Sequence, residues 1–195
     1  MTNPFEDQKL VLQDCTERFE RLRIPYMLTG SMAMIPYAMM RMTRDIDIVV
    51  ELRSTDAQRI IDEFEPDYYV PHGRVREAIS RQRMFNLLHQ ATVVKVDCVI
   101  RKDNEFQKNV FERRRRITLS GIELWIISKE DLILSKLNWA KDTKSEVQMR
   151  DVASIIRNGY DEAYVQLWVQ KLSLSENFGE VKHLLEQNYV DGHDA

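Results

Sequence analysis

The segment Asp45-Ile46-Asp47-Ile48-Val49-Val50 constrains this chain more than any other. Strand side chains alternate between faces, so Asp45 and Asp47 share one face, about 6–7 Å apart, while Ile46, Ile48 and Val50 enter a core on the other. The spacing predicts a buried strand over 46–51 with two carboxylates at its mouth. The segment VVKVDCVI repeats the pattern, with Val94, Val96, Cys98 and Ile100 on one face and Lys95 and Asp97 on the other. If the two strands are neighbours, Asp97 stands beside Asp47. Like charges facing each other across strands destabilise a sheet, and three close carboxylates do not all ionise cheaply. Two remedies follow: a proton on one acid, or a divalent cation. Oxygen-only ligands suit Mg2+, which completes its shell with water and phosphate. The bland alternative is a pair of acids at a strand end.

Upstream, Tyr26–Thr29 reads as a short strand and Met32 to about Met40 as a helix made short or kinked by Pro36. Gly30-Ser31 lies between them. There the first N–H groups of the helix lack partners and aim at anions, Gly lets a phosphate approach, and Ser31 adds a hydroxyl. The competing reading is a tight turn at Gly30 and a plain N-cap at Ser31. The chain has six glycines and no G-x-x-x-x-G-K-[ST] or G-x-G-x-x-G, and its four histidines have no ligand-like spacing. The absence of H-E-x-x-H and C-x-x-C excludes the usual zinc devices.

Around this centre the periodicity predicts a helix over 5–22, with Leu12, Cys15, Phe19 and Leu22 on one stripe. Thr55–Gln58 has the form of a capping box opening a helix with Ala57, Ile60, Ile61 and Phe64. Residues 66–82 are mixed. MFNLLH (84–89) and TVVKVDCVI (92–100) form an antiparallel pair about a Gln90-Ala91 turn, and RITLS (116–120) pairs with IELWII (122–127). From Ser128, which with Asp131 makes another capping box, the pattern is helical: about 129–142, 145–157, 162–172 and 177–188. The chain therefore divides into a mixed α/β region, 1–127, and a helical region, 128–195.

The order Gly30-Ser31, a spacer of thirteen residues, Asp45-Ile46-Asp47 and a later strand bearing Asp97 resembles the nucleotidyltransferase superfamily, the polymerase-beta-like fold. The segment SKEDLILSKLNWAKDTKSEVQMRDVASII resembles the second half of a branch that includes abortive-infection-type toxins, with Lys136 and Arg150-Asp151 at its recurrent positions. The Gly-Ser form departs from the Gly-Gly of many such toxins. The resemblance implies an α+β fold, in which a mixed sheet flanked by helices is followed by a C-terminal helical region. It implies a Mg2+- or Mn2+-dependent enzyme that moves a nucleoside monophosphate from a nucleoside triphosphate to a hydroxyl of an RNA or tRNA end, a protein or a small molecule. In that reading Asp45, Asp47 and Asp97 hold metal, with Asp97 also able to take the acceptor's proton. Gly30, Ser31 and Lys136 bind the nucleotide, Arg150 and Asp151 support them, and an antitoxin protein is a partner. The alternative is a non-catalytic nucleotide- or partner-binding module with the same fold.

Lys136 also stands out by itself, because it shares a helix stripe with Leu132, Ile133, Leu137 and Ala140. It either snorkels to water or reaches the triphosphate as a point charge. The arginines 74, 76, 81 and 83 and the run 113–116 read as solvated faces or, lining a cleft, as holders of an RNA end. The six methionines between 27 and 42 read as adaptable core filler. A net charge of -3 argues against a general nucleic-acid coat. Cys15 and Cys98, in apolar surroundings, read as buried free thiols of a cytoplasmic protein. No signal peptide opens the sequence, and no apolar run is long enough to cross a membrane.

Overall fold

A computed structural model describes residues 4–39, 43 and 45–190. The chain forms two compact units, Met1–Ala33 with Arg41–Ile127, and Met34–Met40 with Ser128–Ala195.

The first unit is built on seven strands: β1 (Tyr26–Thr29), β2 (Asp45–Val50), β3 (Tyr68–Tyr69), β4 (Met84–His89), β5 (Lys95–Ile100), β6 (Arg115–Leu119) and β7 (Ile122–Ile126). They form one mixed sheet in the order β3-β4-β5-β2-β1-β7-β6. The pairs β2–β5 and β1–β7 are parallel and the others antiparallel. Strands β2 and β5 lie near the middle, and their aliphatic faces form the core: Ile46, Ile48, Val50, Val96 and Cys98 are fully buried. This is the α+β class expected, with a mixed sheet and helices.

Four helices accompany the sheet: α1 (Pro4–Leu22), α2 (Ala57–Phe64), α3 (His72–Arg81) and α4 (Glu105–Glu112). Helix α1 buries Val11, Leu12, Cys15 and Phe19, the i, i+4 stripe of an amphipathic helix. Its Phe19 meets Tyr26 at 5.6 Å and Phe64 at 5.3 Å, and Phe64 meets Tyr68 at 5.3 Å, so an aromatic chain joins α1, α2 and the sheet. Arg18, which is also buried, pairs with Asp14 and Asp67 and lies over the Phe64 and Tyr68 rings.

Several local expectations change. Residues 32–34 are one turn of 3-10 helix rather than a helix running to Met40; the chain then turns through Pro36, whose ring and missing N–H oppose a longer helix. Met27, Met32 and Met34 are buried as filler, but Met39 is exposed, and Met40 and Met42 lie outside the described residues. Helix α2 continues from a 3-10 turn, Ser54–Asp56, in which the Asp56 carboxylate accepts the Arg53 N–H, and Asp56 rather than Thr55 stands at its N-cap, without a side-chain cap bond. Helix α3 lies within the segment read as mixed, and α4 follows Asn104, whose side chain caps it by accepting from the Gln107 N–H.

The second unit contains α5 (Lys129–Thr143), α6 (Glu146–Ile156), α7 (Glu162–Lys171) and α8 (Ser175–Val190). Helix α5 packs against α6, α7 and α8. The Ser128 hydroxyl accepts the Asp131 N–H and donates to the Asp131 carboxylate, and Asp161 caps α7 by accepting from Tyr164. Lys129 donates to the carbonyls of Asn158 and Gly159 just past the end of α6.

Candidate active site

Parallel pairing of β2 with β5 sets Asp45 opposite Lys95 and Asp47 opposite Asp97. Strand alternation therefore brings Asp45, Asp47, Lys95 and Asp97 to one face of the sheet. Antiparallel pairing of β4 adds Asn86, opposite Asp97. The first unit thus brings the three expected acids together.

Part of the charge on this face is offset in a third way, beyond a proton or a metal. The Lys95 ammonium lies 3.2 Å from an Asp45 carboxylate oxygen and 3.1 Å from one of Asp97. Asn86 donates to the other Asp97 oxygen. Partial burial opposes the lysine's charge, but hydrogen bonds to Asp97 and Asp45, with their negative charge, outweigh it and hold the ammonium above its ordinary range. Lys95 was visible in the sequence as a face-mate of Asp97. Its role was missed because the two remedies weighed there left out a cation supplied by the chain. Asn86 carried no sequence signal beyond its place in β4.

Gly30 follows β1, whose last residue Thr29 pairs with Asp47. Its φ is +67°, and a Cβ placed on it would fall 1.9 Å from an Asp47 carboxylate oxygen. The glycine therefore makes room for Asp47. Ser31 is buried, at 5 % exposure. The anion-binding argument from a helix N-terminus does not survive, because a three-residue 3-10 turn follows in place of a helix.

Lys136 and Asp151 belong to the second unit. The Lys136 ammonium neither snorkels nor stands open: it is held 2.7 Å from Asp151 and 3.1 Å from the Gln148 side-chain oxygen, with both ionic side chains almost fully buried. This pair ties α5 to α6 and accounts for a lysine on an apolar stripe. Arg150 is exposed and pairs with Glu146 at 3.1 Å. Arg74 and Arg81 pair with Glu77 and Arg76 bonds Gln58, as on a solvated face. The Arg114 guanidinium lies 4.2 Å from the Phe111 ring and 4.9 Å from that of Trp125, which Arg116 approaches at 6.0 Å. A cavity of about 720 Å3 in the first unit lies along α1, between residues such as Glu6, Leu10 and Asp14 and the side chains of Asp67 and His89. Its lining holds none of the three acids, so the chemistry is better located by the carboxylates than by this hollow.

Fold and acidic face together define a nucleotidyltransferase-like protein. The chain belongs to the family described as "nucleotidyltransferase of unknown function (DUF6036)", whose model matches residues 7–158. No curated protein matches the chain significantly. Among solved structures, an antigenic nucleotidyltransferase-like protein from Paracoccidioides brasiliensis is 17 % identical, with a TM-score of 0.53 over 87 % of this chain and 90 % of that one. The antibiotic-resistance factor ANT(2'')-Ia is 12 % identical, with a TM-score of 0.54 and 95 % of each chain covered. The lincosamide antibiotic adenylyltransferase LnuA, solved with lincomycin, is 17 % identical, with a TM-score of 0.50 over 77 % of this chain and 94 % of its own. At these identities the likeness is one of fold. The family assignment makes this chain a predicted nucleotidyltransferase.

Such enzymes generally use a divalent metal, and the donor chemistry here fits one. Asp45, Asp47 and Asp97 offer only oxygen, as hard cations require. Among the described residues no three His, Cys, Asp or Glu side chains already form a metal-holding group. Asp45 and Asp97 converge on Lys95 instead.

Proposed function

We propose that the protein is a Mg2+- or Mn2+-dependent nucleotidyltransferase, moving a nucleoside monophosphate from a nucleoside triphosphate to a hydroxyl acceptor. The observation that carries this reading is the register that sets Asp47 directly opposite Asp97 with Asp45 on the same face, in a member of a nucleotidyltransferase family. In this reading Asp45 and Asp47 bind the ion, which when bound grips the triphosphate and neutralises charge developing at the α-phosphorus. Gly30 seats Asp47 and, with Ser31, faces the phosphates. Asp97 takes the acceptor's proton: the hydroxyl oxygen bonds to the α-phosphorus, the bond to the β-phosphate oxygen breaks, and pyrophosphate leaves. Asp97 accepts bonds from Asn86 and Lys95, and a carboxylate with about four acceptor sites keeps capacity for that proton. Positioning and electrostatics supply most of such catalysis.

The test uses Asp47→Ala. The wild-type protein should melt higher with a nucleoside triphosphate and Mg2+, and the variant should remain folded and lose that rise. An unchanged rise in the variant would put the nucleotide elsewhere. The acceptor is an RNA end, a protein or a small molecule, and growth arrest on expression, relieved by a neighbouring gene, would extend the reading to a toxin.

One observation favours a second reading, a non-catalytic binding module. Lys95 offsets part of the acidic charge without any metal, so the acids do not by themselves demand turnover. Incubation with each of the four labelled triphosphates, Mg2+ and candidate acceptors separates the two. No transfer of label from any of them would favour the module.

A further inference from the structure

We propose that Lys95 occupies one of two cation positions on the acidic face, so that the protein binds a single divalent ion, at Asp45 and Asp47, with Asp97 kept out of the metal's ligand set. The inference rests on the divalent-cation reading above and specifies how many ions that site takes.

Two observations carry it. The first is position. Lys95 is the register partner of Asp45 and lies two residues before Asp97 on the same face, so the backbone fixes its stem between the two carboxylates. Its ammonium already bonds both, at 3.2 and 3.1 Å. A Mg2+ bridging the same two oxygens would sit about 2.0–2.1 Å from each. That point lies against the ammonium, and two cations do not share it. The second observation concerns Asp97. Its oxygens accept from Asn86 on one side and Lys95 on the other, and it is the most buried of the charged groups in this cluster, so it is restrained by donors that a metal would have to displace.

Lys95 thereby gains a function that no free-standing ion supplies. It is delivered with the fold, it cannot diffuse away, and it holds Asp97 beside the place where an acceptor hydroxyl would lose its proton.

The experiment counts Mn2+ bound per chain, by isothermal titration and by the electron paramagnetic resonance of free Mn2+, with and without a non-hydrolysable nucleoside triphosphate. Correction for Mn2+ bound to the nucleotide alone comes from a titration without protein. Wild type should bind one ion. Lys95→Met should bind two, and its first ion should bind about tenfold more tightly or better, the factor that about 1.4 kcal/mol of relieved repulsion gives. Lys95→Gln, which keeps a hydrogen-bond donor without the charge, should behave as Lys95→Met does and replaces it if that variant does not fold. Asp97→Asn should still bind one ion, whereas Asp47→Asn should bind none. Two ions on the wild type, or one ion of unchanged affinity on both lysine variants, would overturn the assignment of Lys95. Loss of the ion in Asp97→Asn would overturn the exclusion of Asp97. A folded wild type that binds no Mn2+ under either condition would remove the metal reading itself, an outcome distinct from the others.

Discussion

Gly30→Ala tests the geometry of the acidic face most directly. Two costs add there. The backbone has φ +67°, a left-handed conformation that costs a residue with a Cβ about 1–2 kcal/mol. The new methyl would also lie 1.9 Å from an Asp47 carboxylate oxygen, 2.6 Å from its Cγ and 2.8 Å from its Cβ. Asp47 cannot escape by a simple rotation, because its Cβ is itself in the way and its backbone is paired on both sides, with Thr29 and with Asp97. Forcing a methyl into such a space costs about 1–3 kcal/mol. The sum is about 2–5 kcal/mol, or a fall in melting temperature of about 6–12 °C at a middle value near 3 kcal/mol. Gly121→Ala is the internal control. Its φ is +87° but nothing lies within 4 Å of a Cβ there, so it carries the backbone cost alone. Urea unfolding of both variants gives the difference, which is the contact with Asp47. Asp47→Ala in the Gly30→Ala background should recover part of that difference by removing two of the three close atoms. Equal destabilisation at Gly30 and Gly121 would refute the claim that the glycine exists to seat the carboxylate.

Other expectations follow from the same contacts. Asp151→Ala strands the buried Lys136 ammonium and should cost about 3–5 kcal/mol, while replacing both partners by Met and Leu should cost much less; chemical denaturation distinguishes the two, and equal losses would contradict the pairing. Burial lifts the Cys15 thiol from an ordinary 9.0 to about 12. A raised thiol favours the folded state fully below pH 9 and loses that contribution as pH climbs towards 12, about 4 kcal/mol in all. The urea midpoint should therefore fall between pH 9 and 11, and a flat profile would count against it. For the same reason neither Cys15 nor Cys98, both buried, should react with a thiol reagent at pH 8 until the chain unfolds. Arg18→Met should weaken the first unit by leaving Asp14 without the buried arginine and the Phe64 and Tyr68 rings without their cationic cap; a melting temperature equal to wild type would argue that this cluster is idle.

Much of the sheet was legible because alternation and turn residues speak the same language in β1, β2, β4, β5, β6 and β7. The hydrophobic stripes of α1 and of the second unit's helices read equally well, since local capping by Ser128 and Asp161 agrees with the periodicity. Helices α3 and α4 did not stand out. Helix α3 carries a stripe of three buried apolar residues, Val75, Ala78 and Ile79, among charged ones, and α4 likewise buries Phe106, Val110 and Phe111 between charged neighbours. The short apolar segment after Ser31 misled in the opposite sense. Its methionines and alanine favour a helix, but Pro36 and the tertiary setting leave only one turn.

The acidic face shows where such reading stops. That Asp47 and Asp97 could meet followed from two strands with matching alternation, yet which residue faces which depends on register, and register is a tertiary property. A two-residue turn at Gln90-Ala91 would have put Asn86 opposite Lys95. Instead Val93, at φ +58°, donates its N–H to the His89 carbonyl, the loop is longer, and the partner of Asn86 becomes Asp97. A shift of two residues preserves every buried side chain, because the strand period is two, so the hydrophobic pattern could not have chosen between these registers. It nevertheless decides whether the Asn86 amide meets Asp97, whereas the β2–β5 pairing places Lys95. The core sequence selects the sheet; the loop at 90–94 sets the partner of Asn86, and the β2–β5 register sets those of Lys95 and Asp47. A deletion that shortened this loop by two residues should leave the core intact while separating Asn86 from Asp97, and because Asp97 lies outside the ion's ligand set the variant should still bind one Mn2+; loss of the ion would contradict that exclusion.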